Sequence, residues 1–234
     1  MKRIAIFVEG LTEQILVRRM LETVMEKKGI AVQTVKITGG HNIRMSFTVM
    51  HAAKVDRNTG YYVLIYDCGG ETNVKGYLMM QRQSLVDKGY TCIIGLRDVY
   101  PNFSHHEIPK LKAGLNFKVP QKHAITKIFL AVMETEAWFL GEYTHFRKVA
   151  QQLSPEYIQK RLGFNPKQDN MEDRKQPADD LKRVYRLAGH DYTKKRSKLN
   201  SIVSKLDFNF FTRRLANKMQ SLGDFVSQLE DFFG

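Results

Sequence analysis

Ile4-Ala5-Ile6-Phe7-Val8-Glu9-Gly10-Leu11-Thr12-Glu13 is the stretch whose reading decides the fold. Ile4 to Val8 is an unbroken apolar run. That pattern predicts a strand buried on both faces, as in a parallel sheet. Gly10 interrupts it. Thr12 is a plausible N-cap, and Glu13 lies in the first turn facing the positive helix end. Leu16, Met20 and Val24 then form one helical stripe, with Val17, Leu21 and Met25 beside it. Gly29 stops the helix. The decad is thus a strand, a tight turn carrying an acid, and a helix.

The same alternation continues outward. Ile30–Ile37 reads as a second strand broken by Gly39-Gly40. Residues 42–56 read as a helix, with Met45, Val49, Met50 and Ala53 on its apolar side. Tyr61–Tyr66 is a third strand ending at Asp67-Cys68-Gly69-Gly70. Val74–Asp87 is a helix, and Thr91–Leu96 a fourth strand ending at Arg97-Asp98. Ile125–Met133 is a fifth strand, followed by Glu134-Thr135-Glu136-Ala137-Trp138. Strands alternating with helices imply right-handed crossovers and a mostly parallel α/β sheet flanked by helices. From about Phe146 strand signals stop and helical periods take over. Residues 1–145 are therefore expected to form the α/β domain and 146–234 a helical C-terminal region.

Composition narrows the class. The chain has 234 residues, 43% hydrophobic and 26% charged, with 37 Lys and Arg against 24 Asp and Glu. This apolar fraction is enough to order a chain of this length, which excludes disorder. The net charge of +13 suggests a polyanion partner. Two cysteines, Cys68 and Cys92, are too few for a disulfide framework or a four-ligand zinc site. The apolar run at the N-terminus is too short for a signal-peptide core, and no stretch approaches the roughly 20 residues of a membrane span. The expectation is a cytoplasmic protein that does not engage membranes.

Acidic residues recur where strands end. Glu9, Asp67, Asp98, Glu134 and Glu136 each follow a strand. In open α/β sheets ligands bind beyond the carboxyl ends of the strands. Gathered carboxylates repel one another unless a cation joins them. Mg²⁺ or Mn²⁺ suits such hard oxygen ligands and can activate water beside a phosphate.

These residues carry a resemblance. Ile4 to Glu13 resembles the first motif of the Toprim domain, shared by topoisomerases, bacterial primases, RNA maturation nucleases and the OLD-type nucleases of phage defence. In that family a strand ends in a Glu-Gly turn. The second motif is a strand ending in Asp-x-Asp, and Tyr61 to Gly69 resembles it, with Asp67 at the first acid and Gly69 at the second. Glu136-Ala137-Trp138-Phe139-Leu140 is similar to a segment of small Toprim-like bacterial proteins. The resemblance covers roughly residues 1–140. It implies a Toprim-like, Rossmann-like sheet and a metal-dependent nuclease acting on DNA or RNA, with phage defence or nucleic-acid processing as its setting. Glu9, Glu13 and Asp67 would be catalytic. Glu9, Asp67, Asp98 and Glu134 would hold the Mg²⁺ or Mn²⁺, Asp98 or Glu71 replacing the missing second acid. Gly69 at that position leaves a second reading open, an inactive Toprim-like binding module of a larger assembly. A homodimer or a partner protein fits either reading.

The window 174–214 is the most basic, with twelve Lys and Arg against four Asp. Arg183, Arg186, Lys194, Lys195, Arg196 and Lys198 are the candidate nucleic-acid contacts, with Tyr185, His190 and Tyr192 interleaved to stack on bases. Phe208, Phe210, Phe211, Phe232 and Phe233 read as core or a dimer patch. Neither Gly39-Gly40 nor Gly69-Gly70 is followed by the Lys-Ser/Thr of a phosphate loop. His105-His106-Glu107 reads as a solvated loop. Cys68 is a poor nucleophile, because the Asp67 carboxylate beside it raises its pKa.

Overall fold

The computed structural model describes residues 1–40 and 43–234. The chain runs β1 (Lys2–Val8), α1 (Leu11–Val24), β2 (Ile30–Gly40), β3 (Ile43–His51), β4 (Tyr61–Asp67), α2 (Asn73–Asp87), β5 (Cys92–Asp98), α3 (Ile108–Asn116) and β6 (Ile125–Ala131). Helices follow: α4 (Glu136–Gly141), α5 (Phe146–Val149), α6 (Pro155–Leu162), α7 (Pro177–Arg186), α8 (Arg196–Val203), α9 (Phe208–Phe210), α10 (Ala216–Lys218) and α11 (Gln220–Phe233). Among the described residues, six strands form one sheet in the order β3-β2-β4-β1-β5-β6. β1 runs parallel to β4 and to β5, and β2 runs parallel to β4. β3 is antiparallel to β2. The architecture is α/β, mostly parallel, as the apolar runs require.

The chain divides into two compact units. The first holds residues 1–97, 109–130 and Phe233; the second holds 98–108, 131–232 and Gly234. Within the second unit Trp138 finds its aromatic partners among the later residues. Its ring stacks on Phe225 at 6.2 Å and meets Phe211 edge-on at 6.3 Å.

In the first unit, Ile4, Ala5, Ile6, Phe7 and Val8 are wholly buried. Burying each of the larger ones contributes about 1.5–3 kcal/mol. Ile15, Leu16, Val17, Met20 and Leu21 of α1 are buried, and α1 packs on β2 and β4. Gln14 Nε2 donates to the carbonyls of Val35 and Ile65, tying α1 to both strands. The helix is capped at Gly10 rather than at Thr12, which lies inside α1 and is buried. Tyr61 packs edge-on against Phe233 at 5.1 Å. Its hydroxyl and the Lys28 ammonium both donate to the Phe233 carbonyl, at 2.7 and 3.0 Å.

The expected helix at 42–56 is instead a strand over Ile43–His51; residue 42 lies outside the described residues. Ile43, Met45, Phe47 and Val49 alternate, and that period of two is the signal that decides it. Ile37 faces Phe47 and Val35 faces Val49 across the ladder. β2 accordingly runs through Gly39 to Gly40. Gly39 has φ +90, and a Cβ there would sit 2.4 Å from the Arg44 carbonyl oxygen, so the bulge needs glycine.

The second unit buries Trp138, Phe139, Phe146, Phe211 and Phe225. Trp138 Nε1 donates to Ser221 Oγ at 3.1 Å, and Ser221 donates in turn to Glu172. Gly223 allows the start of α11 to approach α10: a Cβ there would lie 2.5 Å from the Ala216 carbonyl oxygen. Among the described residues, no helix is long and apolar enough to cross a membrane.

Candidate active site

Parallel pairing sets the first acidic pair. Val8 of β1 lies opposite Asp67 of β4, and Glu9 is the next residue. The loops that leave these strands are laced together. The Cys68 N–H donates to the Val8 carbonyl and the Gly70 N–H to the Glu9 carbonyl, each at 2.9 Å. Gly69 and Gly70 both have positive φ, and a Cβ on Gly69 would touch nothing within 4 Å. The backbone therefore turns tightly after Asp67, with open space at the Gly69 position. Asp67 is buried, and its Oδ1 accepts the Gly69 N–H at 2.9 Å, which fixes the carboxylate. Glu9 is half-buried.

Burial is the main cause that pushes the Cys68 thiol up, and Asp67 and then Glu9 push it further. Cys68 therefore stays protonated and does not serve as a nucleophile. Cys92, buried away from charge, is raised to about 12 by desolvation alone.

Glu13 belongs to the same turn but faces inward. It is buried, and its Oε2 accepts the Gly10 N–H at 2.9 Å. This is the reciprocal arm of a helix cap: the acid satisfies an N–H of the Glu9-Gly10 turn and holds that turn in shape.

The remaining acids gather in the second unit. Asp98 Oδ1 accepts both the N–H and the hydroxyl of Thr135, each at 3.0 Å. Glu134 Oε2 accepts the Ala178 N–H at 2.8 Å, in the first turn of α7. Burial raises the Glu134 carboxyl above its ordinary range, the Ala178 bond pulling partly the other way. Glu136 is wholly buried; its Oε1 accepts from the Tyr192 hydroxyl at 2.7 Å and from Lys194 at 2.9 Å. The fold thus brings Glu9, Glu13 and Asp67 together in one unit, and Asp98, Glu134 and Glu136 in the other. Glu71 lies on the loop between β4 and α2.

Among the described residues, no group of three or more His, Cys, Asp and Glu side chains is arranged to hold a metal. Two carboxylates are nevertheless the donor set that Mg²⁺ commonly takes, with water and phosphate filling the other positions. Glu9 and Asp67 fit that requirement in donor chemistry.

The basic window separates into exposed and occupied groups. Lys195, Arg196 and Lys198 are exposed around the start of α8. Arg183 pairs with Asp180 at 3.0 Å and Arg186 with Asp191 at 3.6 Å, both guanidiniums remaining largely exposed. Lys194 is turned to Glu136. Tyr185 and Tyr192 are buried, which overturns their reading as base-stacking platforms; only His190 of that trio is exposed. Tyr192 is instead the hydroxyl that holds Glu136. Thr135 is a site residue that no sequence pattern marked, because its partner Asp98 lies 37 positions away.

The model of a domain of unknown function, DUF4276, matches residues 8–230, nearly the whole chain, so the chain belongs to that family. No curated protein and no solved structure matches it.

Proposed function

We propose that this member of the DUF4276 family is a metal-dependent nuclease that cleaves phosphodiester bonds of DNA or RNA. The observation that carries the reading is the placement of Glu9 and Asp67 at the laced ends of two paired parallel strands. Glu9 and Asp67 would hold Mg²⁺ or Mn²⁺. Such an ion supplies an activated water at neutral pH and offsets phosphate charge. Gly69 N–H orients the Asp67 carboxylate, and Glu13 holds the Glu9-Gly10 turn. Glu9, half-buried beside the turn, would be a metal ligand or would take a proton. Asp98 and Glu134 act as positioning acceptors for Thr135 and Ala178. Lys195, Arg196 and Lys198, with Arg183 and Arg186, supply attraction for the phosphate backbone.

A second reading has one observation in its favour. Gly69 occupies the position of a second acid, and its N–H takes one Asp67 oxygen. That arrangement suits a module that binds nucleic acid or protein without turnover. One experiment decides. Plasmid DNA and structured RNA are incubated with the protein in Mg²⁺, in Mn²⁺ and in EDTA, beside Glu9→Gln. Cleavage in a divalent metal, lost in EDTA and in the variant, is expected. Binding without cleavage in either metal would overturn the nuclease and leave the module.

A further inference from the structure

The edge strand β3 carries an apolar surface that the catalytic reading does not use. Ile43 is 70% exposed, Val49 53% and Phe47 45%, in a strand with one open side. Long, exposed, apolar edges are normally blunted by charge, proline or irregularity, because their unpaired N–H and C=O groups recruit another strand. Here Ser46–Val49 pairs regularly with β2, and register shifts occur only on either side of that run. Arg44 is the one formally charged residue of the strand.

We propose that β3 pairs antiparallel with β3 of a second copy of this chain, joining two sheets edge to edge about a two-fold axis near Phe47. The strand is self-complementary. In that register Met45 faces Val49, Phe47 faces its own copy and Ser46 faces Thr48. Apolar therefore meets apolar on one face, and hydroxyl meets hydroxyl on the other. Arg44 falls opposite Met50, so no like charges oppose each other. A single charge on the strand also gives it no preference for an acidic or a basic partner. Phe47 is already held in place: it meets Tyr66 edge-on at 6.2 Å, and Tyr66 stacks on Phe7 at 4.6 Å. This aromatic row crosses the sheet and ends half-exposed at Phe47, where the second copy's Phe47 would continue it. The inference is independent of whether Glu9 and Asp67 catalyse.

Sedimentation velocity across a dilution series of the full chain tests it. The wild type should approach twice 27.1 kDa when concentrated and fall toward 27.1 kDa on dilution. Val49→Lys should weaken association by about tenfold or more, and Phe47→Lys, which opposes two ammonium groups, should abolish it. Circular dichroism confirms that each variant is folded. As a second measurement, Phe47→Cys should form a disulfide-linked dimer under oxidation. Met80→Cys, on exposed α2, should not. The two native cysteines are buried and do not interfere. A wild type that stays at monomer mass throughout, a dimer indifferent to both lysines, or equal cross-linking at positions 47 and 80 would each overturn the proposal.

Discussion

Substituting Glu13 separates its structural role from the catalytic one expected of its motif. Its Oε2 accepts the Gly10 N–H at 2.9 Å, and the side chain is 3% exposed. Glu13→Ala removes a hydrogen bond to a charged acceptor, worth about 1.5–3 kcal/mol. Glu13→Gln keeps an acceptor oxygen and loses the charge at the helix N-terminus, worth about 0.3–1 kcal/mol. For a chain of this length, 1 kcal/mol moves the melting temperature by about 2–4 °C. The alanine variant should therefore melt about 3–12 °C below the wild type, and the glutamine variant about 1–4 °C below. Differential scanning calorimetry at neutral pH reads both. Nuclease assays on the same samples should find the glutamine variant active, since the turn is kept. Equal melting of the two variants, or an alanine variant as stable as the wild type, would refute the capping argument. A folded but inactive glutamine variant would return Glu13 to the chemistry.

Three further outcomes are expected. Gly223→Ala drives a Cβ to within 2.5 Å of the Ala216 carbonyl oxygen, so thermal melting should show a loss of about 1–3 kcal/mol from forced displacement of packed backbone. Glu134 has a raised carboxyl pKa, so folding favours its protonated form. That contribution is present below the unfolded value and is lost as pH rises through the folded one. Glu134→Gln should accordingly raise the melting temperature at neutral pH and give no gain below about pH 4, where the wild type is also neutral. Replacing Lys195, Arg196 and Lys198 with alanine should weaken nucleic-acid binding uniformly across sequences. Titrations at several salt concentrations should show a log–log salt slope reduced by about 0.9 for each phosphate that the variant no longer neutralises.

The parallel part of the sheet was legible because strands buried on both faces leave continuous apolar runs, as in Ile4–Val8 and Tyr61–Tyr66. β3 was not, because an edge strand needs no buried face. Its Met45, Val49 and Met50 also satisfy helical spacing, and only the alternation Ile43-Met45-Phe47-Val49 argues the other way. The cap fell on Gly10 instead of Thr12, since the Glu13 side chain completes the motif from inside the helix. Glu9 and Asp67 could be paired in advance, since each ends a strand of the parallel set. The partners of Asp98, Glu134 and Glu136 could not: Thr135, Ala178 and Tyr192 reach them from other segments, and sequence spacing carries no information about such meetings. The burial of Tyr185 and Tyr192 escaped for the same reason. Aromatics among lysines and arginines suggest a nucleic-acid face until the helices show which way each ring turns.

The seating of Phe233 on Tyr61 and Lys28 bears on the order in which the molecule is made. Tyr61 and Phe233 are 172 residues apart, and the whole second unit apart from Gly234 is encoded between them. A ribosome releases β1 to β4 long before it reaches residue 233. The nascent sheet must therefore wait, without the Phe233 contact on Tyr61, until residue 233 has emerged. Closing so long a loop is entropically slow. The Phe233 contacts of the first unit thus form late in biosynthesis.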